Sequence, residues 1–530
     1  MRNLVETRIL AIVLAVGQIS SALAANRYNL AFSTYICGMN GDYIRDVCAD
    51  NHGNIIAVGG TSSPDFPTTA GAYCRTYHTG GKSLGDFGPM DVFVMKFSPS
   101  GQLLWSTLFG GPNYDRAYGV EVDNRGFIYV AGRAGEGLPI KPGVFQVSFV
   151  DTVGTNLGAY GKQNGFVAKF TPDGQLMWAS YVGSGQLCRD IAVDDQGEIY
   201  LPSGWNGIGQ APPASWFANG YQKTPKGDGG DSCVLKIKSD GSRVLWGTWL
   251  CGSGTDNIAA MVRVDAHRNV YYANNTASTD MPTPGNGRHT YSGGPNDFYV
   301  AKLSPDGSNL IYGTYLGGSG DEEVDTHELA VDAQGNAYVA VWTTSTDWSV
   351  THGVFQPNPG GGSSDLAICK IGPDGAILAC SYLAGSGHEN AEGLSVDSSG
   401  NVYVTGTTYS ANFPTAGIPY QSAYGGANGR YDGNAFLTII APDLKNLVYS
   451  SFVGKQCSIT GQNAYGGFHA SALSPDGSWI VGGSWYSSNW PTLQAFQSTY
   501  NPRGNGHAVL ARFVPVSRDV QPRSSDRRSK

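Results

Sequence analysis

The chain has 530 residues, with 34 Lys and Arg against 42 Asp and Glu, for a net charge of −8. Only 14% of residues are charged, 11% are aromatic and 74 are glycine. That balance excludes a disordered chain, whose few apolar side chains cannot offset the entropy of ordering, and a general nucleic-acid surface, which needs basic charge. Helical bundles are disfavoured because glycine is costly inside helices, and no strict period of three points to collagen. What remains is an all-β, turn-rich chain.

The first segment reads as an export signal. Arg2 and Arg8 flank a polar stretch, residues 9–16 are apolar, and Ala22-Leu23-Ala24 fits an A-x-A cleavage site. Residues 1–24 are expected to be removed and the protein to be secreted or held at the cell surface. The alternative is a retained anchor, for which the apolar run is short. No other segment approaches ~18 uninterrupted apolar residues, so no transmembrane segment is expected in the mature chain. Export permits disulfides, and nine cysteines leave at least one thiol unpaired.

From residue 47 one phrase recurs seven times: an alternating apolar run, an Asp, a turn glycine, and a second alternating run. It reads VEVDNRGFIYVAG from Val120, LAVDAQGNAYVAV from Leu329 and LSVDSSGNVYVTG from Leu394, and degenerates to SALSPDGSWIVGG from Ser471. Its register marks are Asp50, Asp123, Asp194, Asp265, Asp332, Asp397 and then Ser474, spaced 65 to 77 residues apart. Further pieces follow in fixed order. A proline-marked loop comes first, as in Asp65-Phe66-Pro67-Thr68 and Asn412-Phe413-Pro414-Thr415. A β run such as Asp297-Phe298-Tyr299-Val300-Ala301-Lys302-Leu303 comes next, then a turn such as Pro305-Asp306-Gly307, then a fourth strand closed by Gly317-Gly318. Two copies depart from the pattern. Leu201-Pro202-Ser203 interrupts a strand phrase, and Arg268 replaces the turn glycine.

Seven units of four antiparallel strands predict a seven-bladed β-propeller over residues 25–515. A fourth-strand phrase at residues 30–36 precedes the first full copy, and the last copy stops at residues 508–513 after its third strand. The N-terminal strand is therefore expected to complete the last blade, which removes two exposed sheet edges; an open solenoid is the alternative. Residues 516–530 read as a disordered polar tail.

The phrases GGSG, VDxxGNxYVxGTT, DFPT and SPDG together resemble the SBBP-type repeat family of secreted bacterial proteins, over about residues 28–515. The resemblance implies the propeller fold and says little about activity, since a fold does not fix a function.

Candidate chemistry gathers five residues before each register mark: Arg45, Tyr118, Arg189, Ala260, His327, Glu392 and His469. Adjacent positions add Asp46, Arg116, Asp190, Asp325, Glu328 and Asn390. In a closed ring these side chains would surround the channel mouth, on the rim that also carries the variable loops 134–163, 204–230 and 407–433. Arg45, Arg116, Arg189 and Glu392 are the expected ligand-binding residues, with guanidiniums suited to carboxylate or sulfate. Trp205, Trp342 and Trp485, with Trp216, could offer flat faces to sugar rings. His327, His469 and Tyr118 are the candidate acid–base residues. The alternative is a wet rim of solvated or mutually paired side chains, such as Arg189 with Glu392. Trp348 and Trp490 stand where Phe66 stands in the DFPT phrase and read as core. Cys369 with Cys380, and Cys233 with Cys251, are candidate cross-strand disulfides.

No CxxC, GxSxG, HExxH, P-loop or DxDxDG motif occurs, so no cofactor and no metal are expected. The leading expectation is a secreted monomer that binds an acidic polysaccharide on its loop-rich rim. The competing expectation is a polysaccharide lyase or glycoside hydrolase working at the channel mouth, and a third is a surface scaffold for protein partners.

Overall fold

The computed structural model describes residues 26–78, 89–150, 161–183, 187–207, 210–227, 230–257, 260–426, 433–455, 466–503 and 506–516. The export-signal segment and all but the first residue of the C-terminal tail lie outside them. Within them the protein is all-β, in seven sheets of antiparallel strands. Blade 1 runs Asp42–Ala49, Ile55–Thr61, Asp91–Phe97 and Leu103–Phe109, in sequence order from axis to rim. Blades 2 to 7 repeat this order, with inner strands at Asp115–Val122, Ala192–Val193, Met261–Val264, Leu329–Val331, Glu389–Val396 and Gly467–Leu473. In blade 5 the short piece Glu322–Glu323 pairs with the same second strand as Leu329–Val331, so its inner strand is split. Each inner strand touches the next, and that of blade 7 touches that of blade 1, closing the ring.

The middle strands read as unbroken apolar runs because both their faces are buried between blades. All seven residues of Ile55–Thr61 and of Asp91–Phe97 are buried. One face of blade 1, with Ile56, Val58 and Val92, packs against Val120, Val130 and Phe166 of blade 2. The outermost strands alternate instead, and Leu104 is exposed.

The repeated Asp is a turn organiser. Asp50 Oδ1 accepts the amides of His52 and Asn54, both at 2.9 Å, and Asp397 treats Ser399 and Asn401 likewise. In blades 2 to 6 a tyrosine hydroxyl from the second strand donates to the other oxygen, as Tyr338 does to Asp332. The turn glycines sit at positive φ, for example Gly53 at 74°, and Arg268 takes φ 63° in the same place. The Pro202 interruption does not break its strand, since Ile199–Trp205 is continuous. Instead the inner strand of blade 3 pairs only at Ala192 and Val193, so pairing stops before the proline that lacks an N–H.

Ring closure uses the N-terminal strand. Tyr28–Ile36 pairs along His507–Pro515, from Tyr28 opposite Pro515 to Ile36 opposite Ala508. Cys369 and Cys380 face each other across their hairpin and form a disulfide with Cα atoms 4.2 Å apart. The second candidate pair does not form. Cys233 lies opposite Trp249, two residues short of Cys251, and both thiols are free and buried. Trp348 and Trp490 are buried in the core, as read from the repeat.

Deleting residues 25–37 should destabilise the domain by at least about 5 kcal/mol, since Phe32, Tyr35 and Ile36 are fully buried and each contributes roughly 1.5–3 kcal/mol. An unchanged melting temperature would contradict closure by this strand. Peptide mapping without reductant should recover Cys369 and Cys380 as one linked peptide and both Cys233 and Cys251 alkylated.

Candidate functional site

Each inner strand of blades 1, 2, 6 and 7 carries one residue more than the strand it pairs with. The skipped residues are Arg45, between Ile44 and Asp46, then Tyr118, Glu392 and His469. A bulge of this kind re-aims a side chain and breaks local pairing. In blades 3, 4 and 5 the equivalents Arg189, Ala260 and His327 precede the paired segments. The seven repeat-equivalent positions thus fall where the strand is irregular.

Six of those side chains meet near the axis. Arg45 of blade 1 donates through Nη2 to Asp325 Oδ2 of blade 5 at 3.0 Å, and its Nη1 lies 3.7 Å from Glu392 Oε2 of blade 6. Arg189 of blade 3 donates through Nη1 to Asp325 Oδ1 at 2.5 Å and to the Asp325 carbonyl at 3.1 Å. His469 Nδ1 lies 2.5 Å from Glu392 Oε2, and its Nε2 lies 2.9 Å from Ser484 Oγ. The expected pairing of Arg189 with Glu392 is replaced by Arg189 with Asp325.

Tyr118 sits inside a guanidinium cage. The carbons of Arg116, Arg45, Arg133 and Arg189 lie 5.2, 5.3, 5.3 and 5.7 Å from its ring centre. Burial alone would raise the phenol, but Arg133, Arg116, Arg189 and Arg45 outweigh it and bring it down to about 7. Arg116 and Arg133 are directly opposed across the first two strands of blade 2. Like charges so placed repel each other unless an anion joins them. Against these four guanidiniums stand the carboxylates Asp325 and Glu392. Burial opposes the charge on Asp325, but Arg45 and Arg189 hold its carboxyl well below the usual range.

The second layer begins one residue further along. His327 Nε2 lies 3.0 and 3.2 Å from the carbonyls of Tyr118 and Arg45, and Nδ1 lies 3.6 Å from Asp190 Oδ1. Burial disfavours the imidazolium, yet Asp46 and Asp190 raise it to about 9. Those two aspartates also tie blades together. Asp46 accepts the Val120 amide at 2.7 Å, and Asp190 accepts the Val262 amide at 2.9 Å and the Arg263 guanidinium at 2.6 Å. Glu328, buried beside Asp325, is raised by burial and then by that charge to about 8.

Of the wet-rim alternative the structure shows mutual pairing and not solvation. Arg45, Tyr118, His327, Glu392 and His469 are buried and contact one another or their neighbours across the ring. Arg189 and Asp325, with 25% and 30% of their side chains exposed, and the half-buried Arg116 and Asn390 are what solvent meets. His327 is a cross-channel tie beneath the mouth, and His469 is closed in by Glu392 and Ser484; neither faces solvent as a free base. Trp485 is fully buried against Trp490 and presents no face to a sugar. Trp216 packs edge-on to Phe145, whereas Trp205 and Trp342 are half-buried at the ends of their strands. Arg133 was not singled out from sequence. Its signal is Gly132-Arg133-Ala134 where blade 6 has Gly406-Thr407-Thr408, an arginine in place of a threonine at the rim. Among the described residues one trio of metal-ligand types comes together, Asp231, Cys251 and Asp256, away from the mouth. There Gln222 Nε2 donates to Cys251 Sγ at 2.9 Å, and burial raises the thiol.

The beta-propeller repeat family SBBP matches residues 104–139 and 382–414. No curated protein matches the chain. Among solved structures, an ulvan lyase from a polysaccharide lyase family is 12% identical, over 86% of this chain and 93% of that one, with a TM-score of 0.45. The quinohemoprotein alcohol dehydrogenase of Comamonas testosteroni is 10% identical over 96% and 79%, with a TM-score of 0.39. A protein of unknown function from Dyadobacter fermentans is 9% identical over 92% and 99%, with a TM-score of 0.40. Likenesses this distant say nothing about activity.

Arg45→Ala should cost about 1.5–3 kcal/mol in denaturant unfolding, because Asp325 and Glu392 lose one charged partner while Arg189 and His469 stay beside them. The His327 imidazolium gives a second expectation. Its stabilisation is complete below about pH 6.5, the ordinary value, and is lost as pH rises towards 9. His327→Gln should therefore flatten the alkaline side of the stability profile, read by melting at each pH.

Proposed function

We propose that this seven-bladed propeller, which carries SBBP beta-propeller repeats, binds an acidic polysaccharide at the channel mouth, outside the cell. The observation that carries this reading is the cluster of four guanidiniums around Tyr118, two of them reached by solvent. Guanidiniums this close repel one another, and a bound carboxylate or sulfate relieves that repulsion. Arg116 and Arg189 are the reachable members, and a guanidinium can grip either anion through two parallel hydrogen bonds. Trp205 and Trp342 stand on the same rim as candidate platforms for sugar rings. A chain of charged sugars suits this surface because successive residues can engage Arg116, Arg189 and the rim together.

Tyr118 favours a second reading, a lyase acting on the same ligand. A phenol with a pKa near 7 is poised as a general base. In such a reaction the phenolate takes the proton from the carbon next to the uronate carboxylate. The electron pair forms the new carbon–carbon double bond, and the glycosidic oxygen leaves and is protonated. Arg116 or Arg189 would neutralise the carboxylate as charge builds on it.

The test uses purified protein and matched uronate, sulfated and neutral polysaccharides. Arg116→Gln and Arg189→Gln should each weaken binding of the acidic polymers at least roughly tenfold, about 1.4 kcal/mol, and leave neutral ones unaffected. Equal binding of neutral and acidic polymers would refute the proposal. Tyr118→Phe divides the readings. A lyase loses the ultraviolet absorbance of its unsaturated product while binding persists, and the wild-type rate rises with pH through about 7; a binding protein shows no such product at any pH.

A further inference from the structure

A second set of acids lies at the junctions between blades. The third strand of each blade begins with a buried polar residue, and at several junctions it meets another at or just before the start of the next blade's inner strand. At four of seven junctions both are acids: Asp91 with Asp115, Asp231 with Asp256, Asp297 with Glu322, and Asp365 with Glu389. At two others the first partner is Asn164 or Asn434, and where the ring closes it is His507, 3.4 Å from Asp42.

The surroundings supply donors to these acids and leave one edge bare. Glu322 Oε1 accepts the hydroxyls of Thr343 and Ser345 at 2.7 and 2.6 Å. Asp297 Oδ2 accepts the Ser292 amide. Their remaining oxygens, Glu322 Oε2 and Asp297 Oδ1, are fully buried and accept no hydrogen bond among the described residues. Both face one point: a methyl group added at Gly317 would sit 2.6 Å from the first and 3.0 Å from the second. At the junction of blades 1 and 2 only Asp91 has a bare oxygen, since both oxygens of Asp115 accept backbone amides. A methyl group at Gly110 would lie 2.8 Å from the unpartnered Asp91 Oδ1 and 3.1 Å from Asp115 Oδ2. Asp365 Oδ1 is a third bare oxygen.

We propose that at the three junctions with a bare oxygen the two carboxyl groups hold one proton between them, so that a carboxylic acid–carboxylate hydrogen bond clasps neighbouring blades and opens as pH rises. One proton joins the two bare oxygens of Asp297 and Glu322, and it gives the single bare oxygen of Asp91 or Asp365 a partner on the facing acid. A metal ion fits worse, because calcium wants six to eight oxygens, whereas the groups packed around these acids are N–H and O–H donors. Backbone amides of Gly111 and Gly135 point at Asp115, at 2.6 and 3.0 Å, and those of Gly360 and Gly385 at Asp365 and Glu389.

The titration follows from burial and from the facing acid. Burial lifts Asp91 and Asp297 to about 6 and Glu322 and Glu389 to about 7, and it raises Asp115 and Asp365 as well. The facing carboxylate adds to this at Asp115, Glu322 and Glu389. Other ionisable groups around the pairs are few. His78 and Tyr77 face the first, Cys251 and Tyr272 the second, and Tyr382 the fourth. Arg288, Tyr291, Tyr315 and Tyr382 face the third. Carboxyls raised above their unfolded values stabilise fully below about pH 4 and lose that contribution as pH climbs through 6 to 7.

The test is thermal melting of the full chain between pH 5 and 7.5. The melting temperature should fall across this range. In the double variant Asp297→Asn, Asp365→Asn, which copies the asparagines native at 164 and 434, about two thirds of that fall should vanish, as two of the three pairs are neutralised. A double variant whose fall matches the wild type overturns the proposal. A second readout needs no variant: infrared spectra at pH 6 should show the carbonyl stretch of protonated carboxylic acids, fading by pH 8, and its absence at pH 6 overturns the proposal too. Calcium that raises the melting temperature at pH 7.5, reversed by chelator, would assign the pairs to a cation instead.

Discussion

The channel chemistry depends on one backbone constraint, the extra residue in the inner strands. A regular strand sends alternate side chains between blades, where they are matched to the neighbouring blade's apolar face. The bulge at Arg45, Tyr118, Glu392 and His469 breaks that alternation at one level of the ring and aims four side chains at the axis. Blade 5 completes the set by a different route. Its inner strand splits, and the irregular stretch between the pieces carries both Asp325 and His327. Groups from blades 1, 3 and 5 can then pair across the axis, which no adjacent-blade contact achieves. Such buried pairs are poor sources of net stability, because desolvating the ions offsets most of their attraction. What their arrangement builds is a cluster of guanidiniums around Tyr118 at the mouth.

Much of the fold was legible because it is periodic. A phrase that recurs seven times fixes the strand count, and the register Asp marks the same turn in each blade because only a short acceptor there can gather two amides. The displaced fourth strand announced the closure. The angular position of the site residues was legible too, since repeat-equivalent positions must lie at one height around the ring. What the sequence did not carry was depth. Alternation says which face of a strand a side chain takes, and says nothing about whether the space it enters is filled. Here Tyr118 and four arginines from blades 1, 2 and 3 fill it, and a mouth read as wet is largely closed. Trp485 misled for a related reason: its place after the second strand resembles that of Trp342, yet in the last blade the loop bearing Trp490 folds back over it. The junction acids were visible as the first residue of each third strand, but the repeat mark drew attention to the other end of the blade.

The three kinds of buried acid are separated by their partners. The register aspartates meet amides, tyrosine hydroxyls and, in blade 1, Lys96 at 2.9 Å, and at Asp50 the Asn54 and Lys96 donors outweigh burial and hold the carboxyl below its ordinary value. The junction acids meet each other. Asp325 and Glu392 meet arginine and histidine across the axis. Burial is common to all three and cannot tell them apart; the sign and number of the neighbouring charges does. This is why position in the repeat alone is a weak guide to role and why the mouth stands out: it alone combines several cations with a titrating phenol.

That phenol sets the terms on which an anion can enter. Tyr118 is acidic because the arginines around it are short of negative charge. A carboxylate or sulfate docking on Arg116 and Arg189 supplies that charge and removes part of what holds the phenol down, so anion binding and ionisation of Tyr118 oppose each other. A pure binding protein gains from this: the phenol stays protonated in the complex and can donate a hydrogen bond to the ligand. A lyase needs the reverse, a phenolate that survives substrate binding. The cage allows that only if the labour is divided, with Arg116 and Arg189 at the opening taking the substrate anion and the deeper Arg45 and Arg133 keeping the phenolate. Their burial matches such a division, because Arg45 and Arg133 are closed off while Arg116 and Arg189 are reached by solvent. The two readings of the site therefore differ by a single proton on one oxygen.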